Sequence, residues 1–130
     1  MYWIEAHPEF GPRTRQIRER MQERGDSLCT SIFTIGELLT GFYKRGTREQ
    51  AVEIRDTIQP PAVELLPFAA ETAERYAQIR ADRRVSPADA IHLASASVAR
   101  ANLFLTNDPA VSKITVPGID FVAGLDVNLF

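Results

Sequence analysis

Most of what would place this chain outside the ordinary globular class is missing from it. No apolar run approaches the ~20 residues of a membrane-spanning helix, and the N-terminus has neither the basic nor the apolar region of a secretion signal. A soluble protein of the cytoplasm is therefore expected. The single cysteine, Cys29, excludes an internal disulfide; set in an apolar run, it reads as a small buried residue in a reducing compartment. The two histidines, His7 and His92, share no ligand spacing with a partner, so neither belongs to a cluster of the zinc-binding kind. An excess of positive charge is absent too. With a formal net charge of −2, the chain lacks the basic footprint of a protein held on nucleic acid mainly by charge, and any such contact has to be local.

What is present fits one α/β domain spanning residues 1–130, with 45% hydrophobic and 25% charged residues and enough length to bury a core. Only Lys44 and Lys113 among the 15 basic residues are lysines; the rest are arginines, whose planar forks suit phosphate oxygens. Arg13, Arg15, Arg18, Arg20 and Arg24 share one N-terminal segment. Glu19 and Glu23 are interleaved with them, which reads as a solvated, salt-bridged helix face rather than a phosphate-binding patch.

Along the chain, residues 2–10 read as a piece of helix cut at Gly11-Pro12, and Pro12 is suited to open the next helix, running to about Arg24 and ended by Gly25. SLCTSIF, from Ser27 to Phe33, reads as a buried strand, after which Thr34 opens a helix to about Tyr43. A helix over about 47–58 stops at Pro60-Pro61, and AVELLPF follows as a strand. Residues 69–84 carry apolar positions at helical spacing, and Ser86-Pro87 opens a small-residue helix to about Arg100. ANLFLT as a strand, a short helix from Pro109 and GIDFVAG as a last strand complete the order. Strands alternating with helices imply right-handed crossovers and a mostly parallel sheet.

Three stretches, TIGELLTG around Glu37, SPADAIHLASA around Asp89 and FLTNDP around Asp108, each set an acid where a helix is expected to begin. Taken singly, such an acid usually complements free N–H groups and the positive end of the helix dipole. Thr34-x-x-Glu37 reads as a capping box, Ser86-Pro87-x-Asp89 as its analogue with Pro at the first helical position, and Asn107-Asp108-Pro109 as a cap followed by Pro. Geometry argues for more than capping. In an open parallel sheet ligands bind outside the carboxyl ends of the strands, and Glu37 and Asp108 both follow a strand there, with Asp89 on a helix able to pack beside them. Carboxylates without a Cys or His cluster favour magnesium or manganese over zinc, and such an ion can acidify water and stabilise charge on a phosphate.

The order ITIGELLTG, SPADAIHLASA and LFLTND, within this order of strands and helices, resembles that of PIN domains, and the length is similar to that of single-domain VapC-type toxins of toxin-antitoxin pairs. The resemblance covers nearly the whole chain. It implies a PIN-like three-layer α/β fold and a magnesium- or manganese-dependent endoribonuclease that attacks RNA phosphodiesters in line, with an antitoxin protein as partner. It places Glu37, Asp89 and Asp108 in the catalytic metal site, with Thr106 and Asn107 supporting the last acid. Arg45 and the N-terminal arginines are candidates for substrate contacts. The small-residue face of SPADAIHLASASVA is expected to pack inside the domain or at the interface of a homodimer. A phosphorelay receiver would need a lysine at a late strand end, whereas Lys44 and Lys113 fall in helical or loop contexts.

The chain departs from the family at its start. PIN domains open with a hydrophobic strand ending in an aspartate of the metal cluster, whereas Met1 to Glu5 reads as the middle of a helix, so the N-terminal central strand and its acid are expected to be missing. Glu5, placed on that helix, reads as a poor substitute. A central strand of ~5 residues cannot be lost cheaply: each neighbouring ladder group left buried and unpaired costs ~1–3 kcal/mol. A misassigned start or a truncated record is the expected cause. With the acidic set incomplete, the alternative reading is an impaired module of the same fold that binds an antitoxin or RNA without cleaving it.

Overall fold

The computed structural model describes residues 2–4, 11–57, 63–106 and 108–125. The expectations placed on Glu5, His7 and Asn107 lie outside the described residues. Five strands, β1 (Tyr2–Ile4), β2 (Leu28–Ser31), β3 (Glu64–Leu66), β4 (Leu103–Thr106) and β5 (Phe121–Gly124), form one sheet in the order β3-β2-β1-β4-β5. Every neighbouring pair is parallel. The crossovers are made by α1 (Gly11–Arg24), α2 (Ile32–Lys44), α3 (Arg48–Thr57), α4 (Ala70–Asp82), α5 (Pro87–Val98) and α6 (Pro109–Ser112).

The strand expected to be missing is present. Tyr2–Ile4 is extended and central, with Trp3 paired to Cys29 on one side and to Phe104 on the other. The demand was read correctly and the supplier wrongly: β2 and β4 need a strand between them, and three aromatic or β-branched residues provide it. Three residues are too few to reveal a period.

Side chains of β4 alternate between two cores. Leu103 and Leu105 join Ile17 and Met21 of α1 on one face, while Phe104 joins Cys29, Ile79, Leu93 and Ala94 on the other, where α4 and α5 pack. The result is a three-layer α/β/α domain in which all four β4 side chains are buried. Burial pushes the Cys29 thiol up to about 12, so it is an inert core group. The small residues of α5 face inward: Ala90, Leu93, Ala94 and Ala96 are fully buried, and α4 is its main helical neighbour. That assigns the small-residue stripe to packing within the domain. No helix among the described residues is long and apolar enough to cross a membrane.

Candidate functional site at the carboxyl edge of the sheet

The strand order reverses between β1 and β4, since the chain leaves β1 for β2 and β3 on one side and returns to β4 on the other. In open parallel sheets the crevice at such a reversal, outside the carboxyl ends, receives ligands because neighbouring loops diverge there. Two segments of interest leave the sheet at this edge: the run after Ser31 of β2 and, after Thr106 of β4, the start of α6.

Glu37 does not start a helix. α2 begins at Ile32 and its N-cap is Ser31, whose Oγ accepts a hydrogen bond from the Thr34 N–H at 3.0 Å. The expected Thr34-to-Glu37 capping box is thus a misreading by three residues: the strand ends at Ser31, and Thr34 lies within the first turn. Ile32 and Phe33 extended the apparent β run because hydrophobic residues at a strand-to-helix junction satisfy either pattern. The correction changes what Glu37 means. Lying in the second turn of α2, it is beyond the part of the helix where a carboxylate complements the dipole.

Its neighbour is His92. Nε2 of His92 stands 3.5 Å from Glu37 Oε1, while Nδ1 lies 3.3 Å from Thr34 Oγ1 and 3.5 Å from Ser31 Oγ. Ser31 Oγ and Thr34 Oγ1 are themselves 3.0 Å apart. His92 is a buried residue of α5, and burial lowers its pKa against the opposing pull of Glu37 and then Asp89. Burial thus favours the neutral imidazole, in which a proton on Nε2 would face Glu37 and leave Nδ1 to accept from a hydroxyl. Phe33 covers the ring at 5.8 Å between centroids.

Asp89 lies in the first turn of α5, where Ser86 is the N-cap and accepts from the Asp89 N–H at 3.1 Å. The spacing Asp89-x-x-His92 puts both residues on one helix face, and Asp89 is close enough to act on the His92 charge. Of the three expected acids, Glu37 is in contact with this histidine and Asp89 shares its helix. Sequence reasoning set His92 aside for want of a ligand partner; its spacing from Asp89 was the available signal.

Asp108 caps α6, as its position before Pro109 suggested. Its Oδ1 accepts from the Ala110 N–H at 2.9 Å, and its own N–H donates to Thr106 Oγ1 at 3.1 Å. Oδ2 takes no part in the cap. Thr106 is fully buried, which fixes the turn carrying the acid. Among the described residues, no group of three or more His, Cys, Asp or Glu side chains is close enough to hold a metal ion. The donor chemistry at this edge nevertheless fits a hard divalent cation, because it is made of carboxylates, while the one cysteine is buried and protonated and His92 is engaged at both ring nitrogens.

Asp108 separates capping from ligand duty. Asp108→Asn retains an N-cap acceptor and is expected to melt within ~2 °C of wild type, whereas Asp108→Ala loses ~1 kcal/mol of cap. Calorimetric melting with and without manganese checks this: manganese should raise the melting temperature of wild type and stabilise neither variant. The arginines offer less. Arg20 pairs with Glu23 at 2.8 Å on the exposed face of α1, and Arg45 lies 4.9 Å from the centre of the Phe42 ring.

Residues 2–116 match a family described as the PIN domain. No relative was found among curated proteins. Among solved structures, a toxin-antitoxin complex from Klebsiella pneumoniae is similar, with a TM-score of 0.56 and 16% identity over 91% of this chain and 93% of that one.

Proposed function

Because the chain belongs to the PIN domain family, whose members are generally nucleases using divalent metal ions, we propose that it is a magnesium- or manganese-dependent endoribonuclease and the toxin of a toxin-antitoxin pair. The observation that carries this reading is the pairing of Glu37 with His92 of α5, the helix whose first turn holds Asp89, beside the sheet edge to which β4 leads Asp108. Glu37, Asp89 and Asp108 would hold the ion.

When bound, the ion supplies positive charge against the phosphodiester and acidifies water. The remaining work belongs to the chain. Asp89 and Asp108 sit on helix starts whose caps fix their backbones, and Glu37 is braced by His92. Carboxylates fixed in this way lose little freedom on loading, which is how a rigid edge aligns a nucleophile with a phosphorus atom.

An antitoxin is the proposed partner, supported by the similar toxin-antitoxin complex and by α2. That helix has no buried residue, and Ile32, Phe33, Leu38 and Tyr43 are 51%, 40%, 42% and 49% exposed. An apolar helix left uncovered suits a protein partner. A homodimer is the companion proposal, measured by sedimentation.

Incubating the purified 130-residue chain with total RNA, in magnesium or manganese and again with chelator, tests the activity. Cleavage that depends on the metal is expected. The alternative, a binding module that no longer cuts, is favoured by the lack of a three-ligand group among the described residues, and intact RNA in every metal condition would establish it.

A further inference from the structure

We propose that His92 is a positioning residue for the acidic site: it braces Glu37 through Nε2 and is itself held through Nδ1 by the hydroxyls of Ser31 and Thr34, tying α2 to α5. This inference rests on the ribonuclease reading above. A buried histidine is ordinarily a core group satisfied by whatever lies nearby, and three features of this one ask for more. Its exposure is 7%, yet Nε2 is directed to a carboxylate whose side chain is 52% exposed and would otherwise be free to turn into water. Its other nitrogen is met by two hydroxyls from the junction of β2 and α2, the same junction that sets the register of Glu37. Finally, it belongs to the helix that carries Asp89, one turn earlier, so its contact with Glu37 ties α2 to the helix of a second acid.

The contacts of 3.3–3.5 Å are long, as is common before loading, and short shifts of two side chains bring them into hydrogen-bond range. Groups that hold a ligand without touching the ion typically matter 10–100-fold for metal affinity. The proposed role gives His92 no contact with substrate or reacting atoms. Its loss should therefore lower manganese affinity and kcat, and leave the KM for RNA nearly unchanged.

Isothermal titration of manganese into wild type, Glu37→Gln, His92→Leu, His92→Gln and Thr34→Val tests the role, with melting temperatures measured on the same samples. His92→Leu should bind manganese about 10–100-fold more weakly, the effect expected of losing an outer ligand support. His92→Gln restores an N–H donor at the reach of Nε2 and should recover to within about 3-fold of wild type. Thr34→Val keeps the helix cap, which uses its backbone N–H, but removes a hydroxyl from Nδ1; a loss of a few fold is expected, and this variant serves if His92→Leu fails to fold. Weak binding by Glu37→Gln alongside wild-type affinity in folded His92→Leu and in Thr34→Val would overturn the positioning role and leave the metal site standing. Wild type that binds no manganese would overturn the metal site and the positioning role together.

Discussion

Asp89→Asn should lower metal-dependent RNA cleavage by at least about 100-fold while barely moving the melting temperature. A group that only supports a ligand is worth 10–100-fold, so a direct ligand should meet or exceed the top of that range. The substitution preserves size and leaves intact the Ser86 cap, which uses the Asp89 backbone N–H. What it removes is the charge. The structural cost is the lost complement to the α5 dipole, ~0.3–1 kcal/mol at an exposed first turn, or about 1–4 °C in a domain of this size. Initial rates on one RNA at saturating manganese, read beside calorimetric melting, separate the two effects. A rate within a few fold of wild type would remove Asp89 from the site and return it to the status of a helix-start acid.

The second large effect concerns the scaffold. Phe104→Ala should cost about 3–5 kcal/mol and lower the melting temperature by roughly 10–20 °C. Phe104 is 0% exposed in the middle of β4, pairs with both β1 and β5 through its backbone, and fills the core between the sheet and the helices α4 and α5. Those helices are already lined with alanine along α5, and their starts are held by Thr72 Oγ1, which accepts from the Ala69 N–H, and by the Ser86 cap, so little side chain is available to collapse into the space left behind. Because β4 delivers Thr106 and Asp108 to the edge, activity near the new melting point should fall with the folded fraction. Denaturation in guanidinium checks the value: an unchanged slope with a lower midpoint shows a stability change, and a midpoint near wild type would contradict the packing described.

Much of this arrangement was written locally in the sequence. Gly25 and Gly46 lie at positive φ where helices stop, Pro87 and Pro109 open helices, and Ser86 and Asp108 cap them; each is a signal complete within a few residues. Two elements were misread for the same physical reason. At Tyr2–Ile4 and at Ile32 and Phe33 after Ser31 the residues are aromatic or β-branched and suit either a covered strand or a helix, so only pairing between distant segments decides. Trp3 against Cys29 and Phe104 is such a pairing, and nothing near residue 3 announces it.

The candidate site divides along the same line. Asp89 and Asp108 were legible because they lie in or next to helix caps. Glu37 was found through a capping box that the structure does not contain, and its true context is tertiary: a histidine 55 positions away in sequence, brought close by packing of α5 on β2 and α2. His92 could not be weighed as a contact until that packing was known, although its spacing from Asp89 on one helix face was visible.

The central claim is that the acids at the carboxyl edge of this sheet hold a divalent ion. Anomalous diffraction from a crystal soaked in manganese tests it most directly. One or two peaks are expected, bounded by the carboxylates of Glu37, Asp89 and Asp108, with oxygen atoms at roughly 2.0–2.5 Å; crystals that take up no manganese at this edge, or take it up only elsewhere, while the same protein cleaves RNA in manganese, would contradict a metal site there.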